Sequence, residues 1–467
     1  MPGPHGACDT ADRRTPGADR GQGHRPPAGP DGPTGSRWPG RVTTVLSHLQ
    51  LNDRRERLLV AAADLGLAAV APVLRRSARA AGGHDRPAVL LLRLERVGDL
   101  LMTLDALAAV RACAPRATID LVVGTWNEAL ARLIPGIDRV ETLDARWLAR
   151  GPAGDGPARM LSRAWRWRER RYDLAINFEG DVRSNVLLGL SGALRRVGFD
   201  MAGGGPMLSE RVTFDPTVHT RSNALRLVER AFDVPAGSLE NMPPVNGKSP
   251  RLRIPDEARR RAAALLSGPT PPGDAATSGP SAGLVAVHVS GGREIKQWHP
   301  DRFADVASRL AAERHVRIVL TGSAADRPLV DALRVSLAPH VQVIDVTGAA
   351  DLVTLAAIFE RVDLLVTGDT GPMHLAAALD VPLVAVFGPS DPARWGPLSP
   401  SARIVRAQLP CSPCNRIRRP PVRCRGHVPD CLAATVADTV YDAAVSLLDE
   451  GQPRPASLPG GDGRQHG

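Results

Sequence analysis

Twice along this chain, short apolar runs alternate with segments of helical period, and that alternation leaves few folds open. In the first series Val89–Leu94, Ile119–Val123, Val140–Leu143, Leu174–Phe178 and Val197–Phe199 read as strands, with helices at Leu100–Ala114 and Glu128–Leu133. In the second, Val285–Val289, Ile318–Thr321, Val343–Asp345, Leu364–Thr367 and Leu383–Phe387 are strands, and helices start near Phe303, Arg327, Leu352 and Met373. Strands alternating with helices imply a parallel sheet covered by helices on both faces. Between the series, from about Pro235 to Ala282, Pro-, Gly- and Ser-rich stretches surround one helix, Asp256–Leu266. The expected fold is therefore α/β, with two facing Rossmann-like domains and an interdomain cleft. Residues 87–250 form the first domain, 251–283 a linker and loop, and 284–450 the second. Ligands of such sheets bind beyond the carboxyl ends of the strands, so the cleft is the expected site. Neither half opens with G-x-G-x-x-G, which argues against a dehydrogenase.

A chain of 467 residues exceeds one typical core, in keeping with two domains plus tails. Residues 1–42 and 451–467 are Gly-, Pro- and Arg-rich and read as a disordered leader and tail, with a helical extension over 43–86. The net charge of +10 favours anionic partners, but aromatics are only 3% and the arginines are scattered, so nucleic acid is not among them. Only Lys248 and Lys296 are lysines among 59 basic residues. The leader has no apolar segment of signal-peptide type, which points to the cytoplasm. Leu58–Leu74 is apolar but contains Asp64 and runs to roughly 17 residues, short for a membrane span. It reads as an amphipathic helix, packed on the rest of the chain or lying at the inner face of a membrane.

Three strand-to-helix crossings carry the chemistry. In Val366-Thr367-Gly368-Asp369-Thr370-Gly371-Pro372-Met373-His374, a buried strand passes through a Gly turn into a helix opened by Pro372. Unpaired N–H groups and the positive end of the helix dipole converge there, a ready site for phosphate. Asp369 beside it suits sugar hydroxyls. In Leu94-Glu95-Arg96-Val97-Gly98-Asp99-Leu100, Asp99 falls where the first strand gives way to a helix. It is either a helix N-cap or a base aimed into the cleft, and the helix dipole stabilises its negative charge in both roles. In Val289-Ser290-Gly291-Gly292-Arg293-Glu294-Ile295-Lys296-Gln297-Trp298, the glycines let backbone approach a ligand and Lys296 offers a compact point charge.

Taken together, these segments resemble glycosyltransferase family 9, the heptosyltransferases. Arg93 to Asp99, Arg293 to Trp298, Gly368 to His374 and Phe387-Gly388-Pro389-Ser390-Asp391-Pro392 fall in that family's order across about residues 88 to 448. The resemblance implies a GT-B fold and inverting, metal-independent sugar transfer without a cofactor. Its donor is a nucleotide sugar, typically ADP-heptose, and its acceptor a glycolipid or polysaccharide, with the lipopolysaccharide inner core as the best-known case. Residue by residue, it implies Asp99 as the general base and Lys296 as the cation on the donor phosphates. Ser290, Gly291, Thr370 and Gly371 would line the donor site, Asp369 would hold sugar hydroxyls, and His374 lies in the same turn. Asp326 would contact the ribose, and Asp181 and Arg183 the acceptor. Two alternatives stay open at this level: a GT-B transferase using another nucleotide sugar, and a binding protein that kept the fold. Retention of both Asp99 and Lys296 argues against the second. The cluster Cys411-x2-Cys414-x9-Cys424-x6-Cys431 has only one tight pair, so free thiols are expected over a zinc site.

Overall fold

The computed structural model describes residues 49–51, 53–76, 86–148, 154–240, 252–267 and 283–450. The leader 1–42, the tail 451–467, Lys248 and the Gly268–Ala282 loop lie outside these residues.

The chain enters through α1 (Arg54–Arg76) and then builds the first sheet. Its elements are β1 (Ala88–Arg93), α2 (Val97–Met102), α3 (Leu104–Cys113), β2 (Thr118–Val123), α4 (Thr125–Ala131), β3 (Arg139–Thr142) and α5 (Pro157–Arg166). They continue with β4 (Leu174–Asn177), α6 (Val182–Leu190), β5 (Arg195–Phe199), β6 (Glu210–Val212) and α7 (Thr220–Ala231). After α8 (Asp256–Leu266) the second sheet follows: β7 (Leu284–His288), α9 (Pro300–Arg314), β8 (Arg317–Thr321), α10 (Arg327–Ser336), β9 (Val343–Asp345) and α11 (Leu352–Phe359). Then come β10 (Leu364–Gly368), α12 (Gly371–Ala378), β11 (Leu383–Val386), α13 (Pro392–Trp395), β12 (Ala402–Val405), α14 (Asp430–Ala433) and α15 (Ala437–Asp449).

Each sheet has six strands, in the orders β3-β2-β1-β4-β5-β6 and β12-β11-β10-β7-β8-β9. The pairings are parallel. Both sheets therefore reverse direction at one point, between β1 and β4 in the first and between β7 and β10 in the second. A crevice opens there because the loops on either side of the reversal leave in opposite directions. The central strands are apolar because helices cover both faces: Leu90, Leu91 and Leu92 of β1 and Leu364, Leu365 and Val366 of β10 are fully buried. Each such side chain contributes about 1.5–3 kcal/mol relative to exposure. One core cluster contains residues of both halves, including Leu91, Leu100, Met373 and Leu375, while separate clusters line the outer faces.

Several elements differ from the sequence reading. The helix expected over Leu100–Ala114 is two helices, broken at Thr103, and it starts three residues earlier at Val97. Thr103 turns its hydroxyl back to the Asp99 carbonyl at 2.8 Å, which helps bend the chain there. The linker helix α8 packs on the second half: Arg259 pairs with Glu360 at 2.9 Å and Arg261 with Asp351 at 3.2 Å, both on α11 or its cap. The edge strands β6 and β12 are absent from the reading because their side chains are half-exposed and show no apolar run.

Candidate active site

The two sheet reversals bring α2 and α12 against each other, each pointing its N-terminus into the cleft. Glycines permit this approach. A Cβ on Gly98 would lie 2.9 Å from the His374 ring, and one on Gly371 would lie 3.3 Å from Val97. Where α7 begins, a second pair of contacts ties the halves together: His219 meets the Gly396 carbonyl at 3.1 Å and the Thr220 hydroxyl donates to Arg394 at 3.2 Å.

On the first half, a buried cation organises the turn after β1. Arg93 donates to the Phe178 carbonyl at 2.9 Å and to the Asp99 carbonyl at 3.2 Å. Its guanidinium stands 3.6 Å from Glu95 and 3.7 Å from both Asp99 and Glu179. Glu179 accepts the Leu94 N–H at 2.5 Å and the Glu95 N–H at 3.1 Å, so it holds the turn by its backbone. Burial pushes the Glu179 carboxyl up to about 7, against the pull of Arg93, and Asp99 and Asp181 push the same way. Glu95 is raised as well, by desolvation first and then by Asp99 and Glu179. Asp99 is the third residue of α2, not its N-cap; its carboxylate reaches back to the Arg96 N–H at 3.3 Å, half of a capping box. Its side chain keeps 26% of its surface exposed, whereas Glu179 keeps 3%. Glu95 keeps 34%, so Asp99 and Glu95 are the carboxylates of this cluster that a ligand can reach, and Asp99 is the one that faces His374 across the α2–α12 contact.

On the second half, Lys296 donates to Asp369 at 2.9 Å. An ammonium has three donors, so two remain for a ligand. Thr370 caps α12, its hydroxyl accepting the Met373 N–H at 3.4 Å and standing 3.4 Å from the Thr367 hydroxyl. The N–H groups of the first turn of α12 therefore face the same space as the ammonium. The Lys296 loop lies close because residue 291 has no side chain: a Cβ there would fall 2.6 Å from the Lys296 carbonyl carbon and oxygen. Ser290 is buried, accepts the Gly292 N–H at 3.3 Å and shares a hydrogen bond with Asp326. Burial alone would raise the Asp326 carboxyl; the Ser323 and Ser290 hydroxyls and the Ser323 N–H outweigh it and hold the carboxyl low.

Two buried histidines back the site. His374, between Asp369 and Asp99, is brought down to about 4 by burial, which the two carboxylates only partly offset. His288, against the Thr321 hydroxyl at 3.1 Å, is lowered to about 4 for the same reason. Both are neutral near pH 7, so the positive charge at the floor of the cleft comes from Lys296 and the helix terminus.

The two residues expected to meet the acceptor, Asp181 and Arg183, sit at the start of α6 and already have partners in the protein. Asp181 is the N-cap of α6, accepting from the Arg183 and Ser184 N–H groups at 3.0 and 3.4 Å and from the Ser184 hydroxyl at 2.7 Å. Arg183 stacks on Trp147 at 4.3 Å and pairs with Asp181 at 3.2 Å. Arg93, Glu95, Glu179 and His288 were not singled out in the sequence, although Glu179 lies two residues before Asp181. Its signal was a charged residue directly after a buried strand at the sheet reversal.

Cys411, Cys414, Cys424 and Cys431 do converge, lining a cavity of about 30 Å³ beside Ile295 and Pro389. All four are free thiols, and burial pushes Cys431 up to about 11. Among the described residues no group of three or more His, Cys, Asp or Glu side chains is set to hold a metal ion. A cavity of about 730 Å³ lies elsewhere, at the start of β3 beneath α5. Its Arg163 and Arg170 are paired with Glu141 and Asp120, and none of the motif residues reaches it.

Residues 160–421 match the family model for glycosyltransferase family 9 (heptosyltransferase), which is more than half of the chain. The chain belongs to glycosyltransferase family 9. This family 9 glycosyltransferase is 26% identical over 328 residues to lipopolysaccharide heptosyltransferase 2 of Salmonella typhimurium, covering 68% of this chain and 87% of that protein. It is 27% identical over 336 residues to lipopolysaccharide heptosyltransferase 1 of Pseudomonas aeruginosa, covering 70% of this chain and 85% of the other. Among solved structures, the family 9 glycosyltransferase from Veillonella parvula superposes with a TM-score of 0.63 at 23% identity, covering 79% of this chain and 98% of that one. The Escherichia coli ADP-heptose lipopolysaccharide heptosyltransferase II superposes with a TM-score of 0.62 at 20% identity, over 78% and 99%. The fold is GT-B. The family match takes in Lys296, Asp326, Asp369, Thr370 and His374; Asp99 lies upstream of it, so its candidacy stands on geometry.

The tight seat of Lys296 gives a direct expectation for this glycosyltransferase. Gly291→Ala puts a methyl group against backbone atoms that cannot swing aside, so the loop and its ammonium must move. Nucleotide titration should show weakened binding while the thermal melt shifts little, because the clash is confined to one cleft loop. Unchanged affinity would mean that the loop does not depend on that close approach.

Proposed function

We propose that this glycosyltransferase moves a heptose from ADP-heptose to a hydroxyl of a lipid-anchored glycan of the lipopolysaccharide inner-core type. The transfer inverts the anomeric carbon, needs no metal, and takes place on the cytoplasmic side of the membrane. The observation that carries this reading is the opposition of α2 and α12. Inversion requires an attacking oxygen opposite a departing phosphate, and the cleft sets Asp99 on one wall and Lys296 with the α12 terminus on the other. In this reading the first half, residues 87–250, takes the acceptor and the second half, 284–450, the donor.

The donor diphosphate would lie on the first-turn N–H groups of α12 with Lys296 beside it. As the glycosidic bond breaks, negative charge grows on the leaving phosphate, and fixed dipoles with a nearby ammonium stabilise that growth without rearranging. Asp369 orients the ammonium and offers its other oxygen to the sugar. Asp326 and Ser290, tied together at the ends of β8 and β7, would take the ribose hydroxyls. Asp99 would accept the acceptor proton. Burial raises Glu179 to about 7, but its carboxylate is spent on two backbone N–H groups and keeps 3% of its surface, so access favours Asp99 over it. Arg183 beside Asp181 would meet the acceptor.

The test measures nucleotide release from ADP-heptose and from UDP- and GDP-sugars, with a deacylated inner-core acceptor and with EDTA present. ADP release that depends on the acceptor and survives EDTA is expected, with NMR showing the opposite anomer in the product. Turnover with UDP- or GDP-sugars alone, retention of configuration, or loss of activity in EDTA would each overturn the matching part of the reading.

A further inference from the structure

The helix α1 turns the usual amphipathic pattern inside out. Its docked side, with Val60, Asp64, Leu67 and Ala71 at helical spacing, meets α6 and the turn at Gly205–Met207. Gly203, at a φ of +90°, leaves room for Val60 above it, and the Asp64 carboxylate accepts the Gly204 N–H at 2.6 Å. Asp64 is the only charged residue between Leu58 and Val73, and it faces the protein. The outward face is apolar instead: Leu59 is 72% exposed, Leu65 77% and Val73 64%. A water-facing helix side normally carries the charges. This one presents an uncharged strip about 24 Å long, at 1.5 Å per residue.

What covers the strip is indicated by charge and position. Arg54 and Arg55 are exposed at its start, Arg75 and Arg76 follow its end in sequence, and the whole chain carries +10. An apolar strip between basic ends matches an anionic bilayer surface, where acyl chains take the leucines and headgroups the arginines. Over Arg54–Leu74 the helix is long and apolar enough to cross a membrane by length and composition, with 6% of it buried. Crossing would strip Asp64 from Gly204 and carry a carboxylate into hydrocarbon, whereas lying flat preserves that contact. The strip also sits on the first half: Ala202, just before the glycines that seat α1, pairs in parallel with Asp181.

We propose that the outward face of α1 lies in the headgroup layer of an anionic membrane and seats the first half of the cleft on it. Its purpose rests on the lipid-anchored acceptor proposed above; the binding itself does not, and it can be measured without donor or sugar acceptor. The experiment is co-sedimentation of the full chain with vesicles of phosphatidylglycerol and phosphatidylethanolamine, and with phosphatidylcholine alone. Wild type should bind the anionic vesicles and release them as salt rises. The double variant Leu59→Gln/Leu65→Gln should bind at least about tenfold more weakly. Arg54→Gln/Arg55→Gln should lose about tenfold at low salt, from the contribution of two surface arginines. Both variants change exposed positions, so unchanged thermal melts and ADP affinity are expected and separate this proposal from the donor chemistry. Absence of wild-type binding, equal binding by the leucine variant, or equal binding to phosphatidylcholine would overturn it. So would light scattering that shows a wild-type dimer which the leucine changes split while vesicles capture neither form.

Discussion

Asp99→Asn is expected to leave donor affinity nearly unchanged and to lower sugar transfer by roughly 10²–10⁴-fold, the usual contribution of a positioned base. The substitution is well matched to its place in α2. The asparagine carbonyl can still accept the Arg96 N–H that Asp99 accepts at 3.3 Å, so the helix start survives. What disappears is the negative charge and the capacity to take a proton. Arg93 keeps Glu95 and Glu179 as partners, so its buried charge is not stranded. Removing the Asp99 charge also relieves the repulsion that raises Glu95 and Glu179, which should keep the melt close to wild type. Single-turnover transfer, read beside donor titration and a thermal melt, decides the matter. Transfer at the wild-type rate would assign the proton to another group, with Glu179 the first to examine through Glu179→Gln.

Lys296→Ala should weaken donor binding and slow turnover together, because the ammonium acts on both the bound and the departing phosphate. A charge-assisted contact of this kind is worth about 1.5–3 kcal/mol, or about ten- to a hundredfold in affinity. The alanine variant also strands the Asp369 carboxylate, which is only 9% exposed and pairs with Lys296 at 2.9 Å. Breaking one side of a buried pair destabilises the protein in its own right. The double variant Lys296→Ala/Asp369→Asn separates the two effects: it should recover most of the lost melting temperature and none of the lost donor affinity. Recovery of affinity in the double variant would show that Lys296 serves Asp369 alone. Lys296→Arg should restore binding only in part, since a planar fork cannot occupy the seat that Gly291 leaves for a slender amine.

The contrast between these two residues shows what a linear sequence carries. Buried parallel strands must be apolar along their length, so β1, β7 and β10 were visible as runs of Leu, Val and Ala, and the two-domain α/β fold followed. The Gly-Asp-Thr-Gly-Pro turn was equally plain, because a strand entering a helix through glycines and proline has few alternative conformations. The isolated Lys296 stood out in a chain that otherwise uses arginine. Local chemistry of this kind is written in neighbours along the chain.

Other features exist only through contacts between distant segments. Glu179 owes its raised carboxyl to burial that no local pattern records, against the pull of Arg93, a residue on another strand. The Lys296–Asp369 pair joins positions 73 residues apart, and Gly98 and Gly371 are fixed by an opposing helix, not by their own turns. The role of Asp64 was likewise hidden: in sequence its charge only argued against a span, whereas packing turned it inward onto Gly204. The sequence by itself determined the two α/β halves and the types of group at the cleft. Only the tertiary structure decided where the sheets reverse, which carboxylates stay reachable, and that α1 shows its apolar side to the outside. Burial and charge pairing depend on which surfaces meet, and that depends on the whole chain.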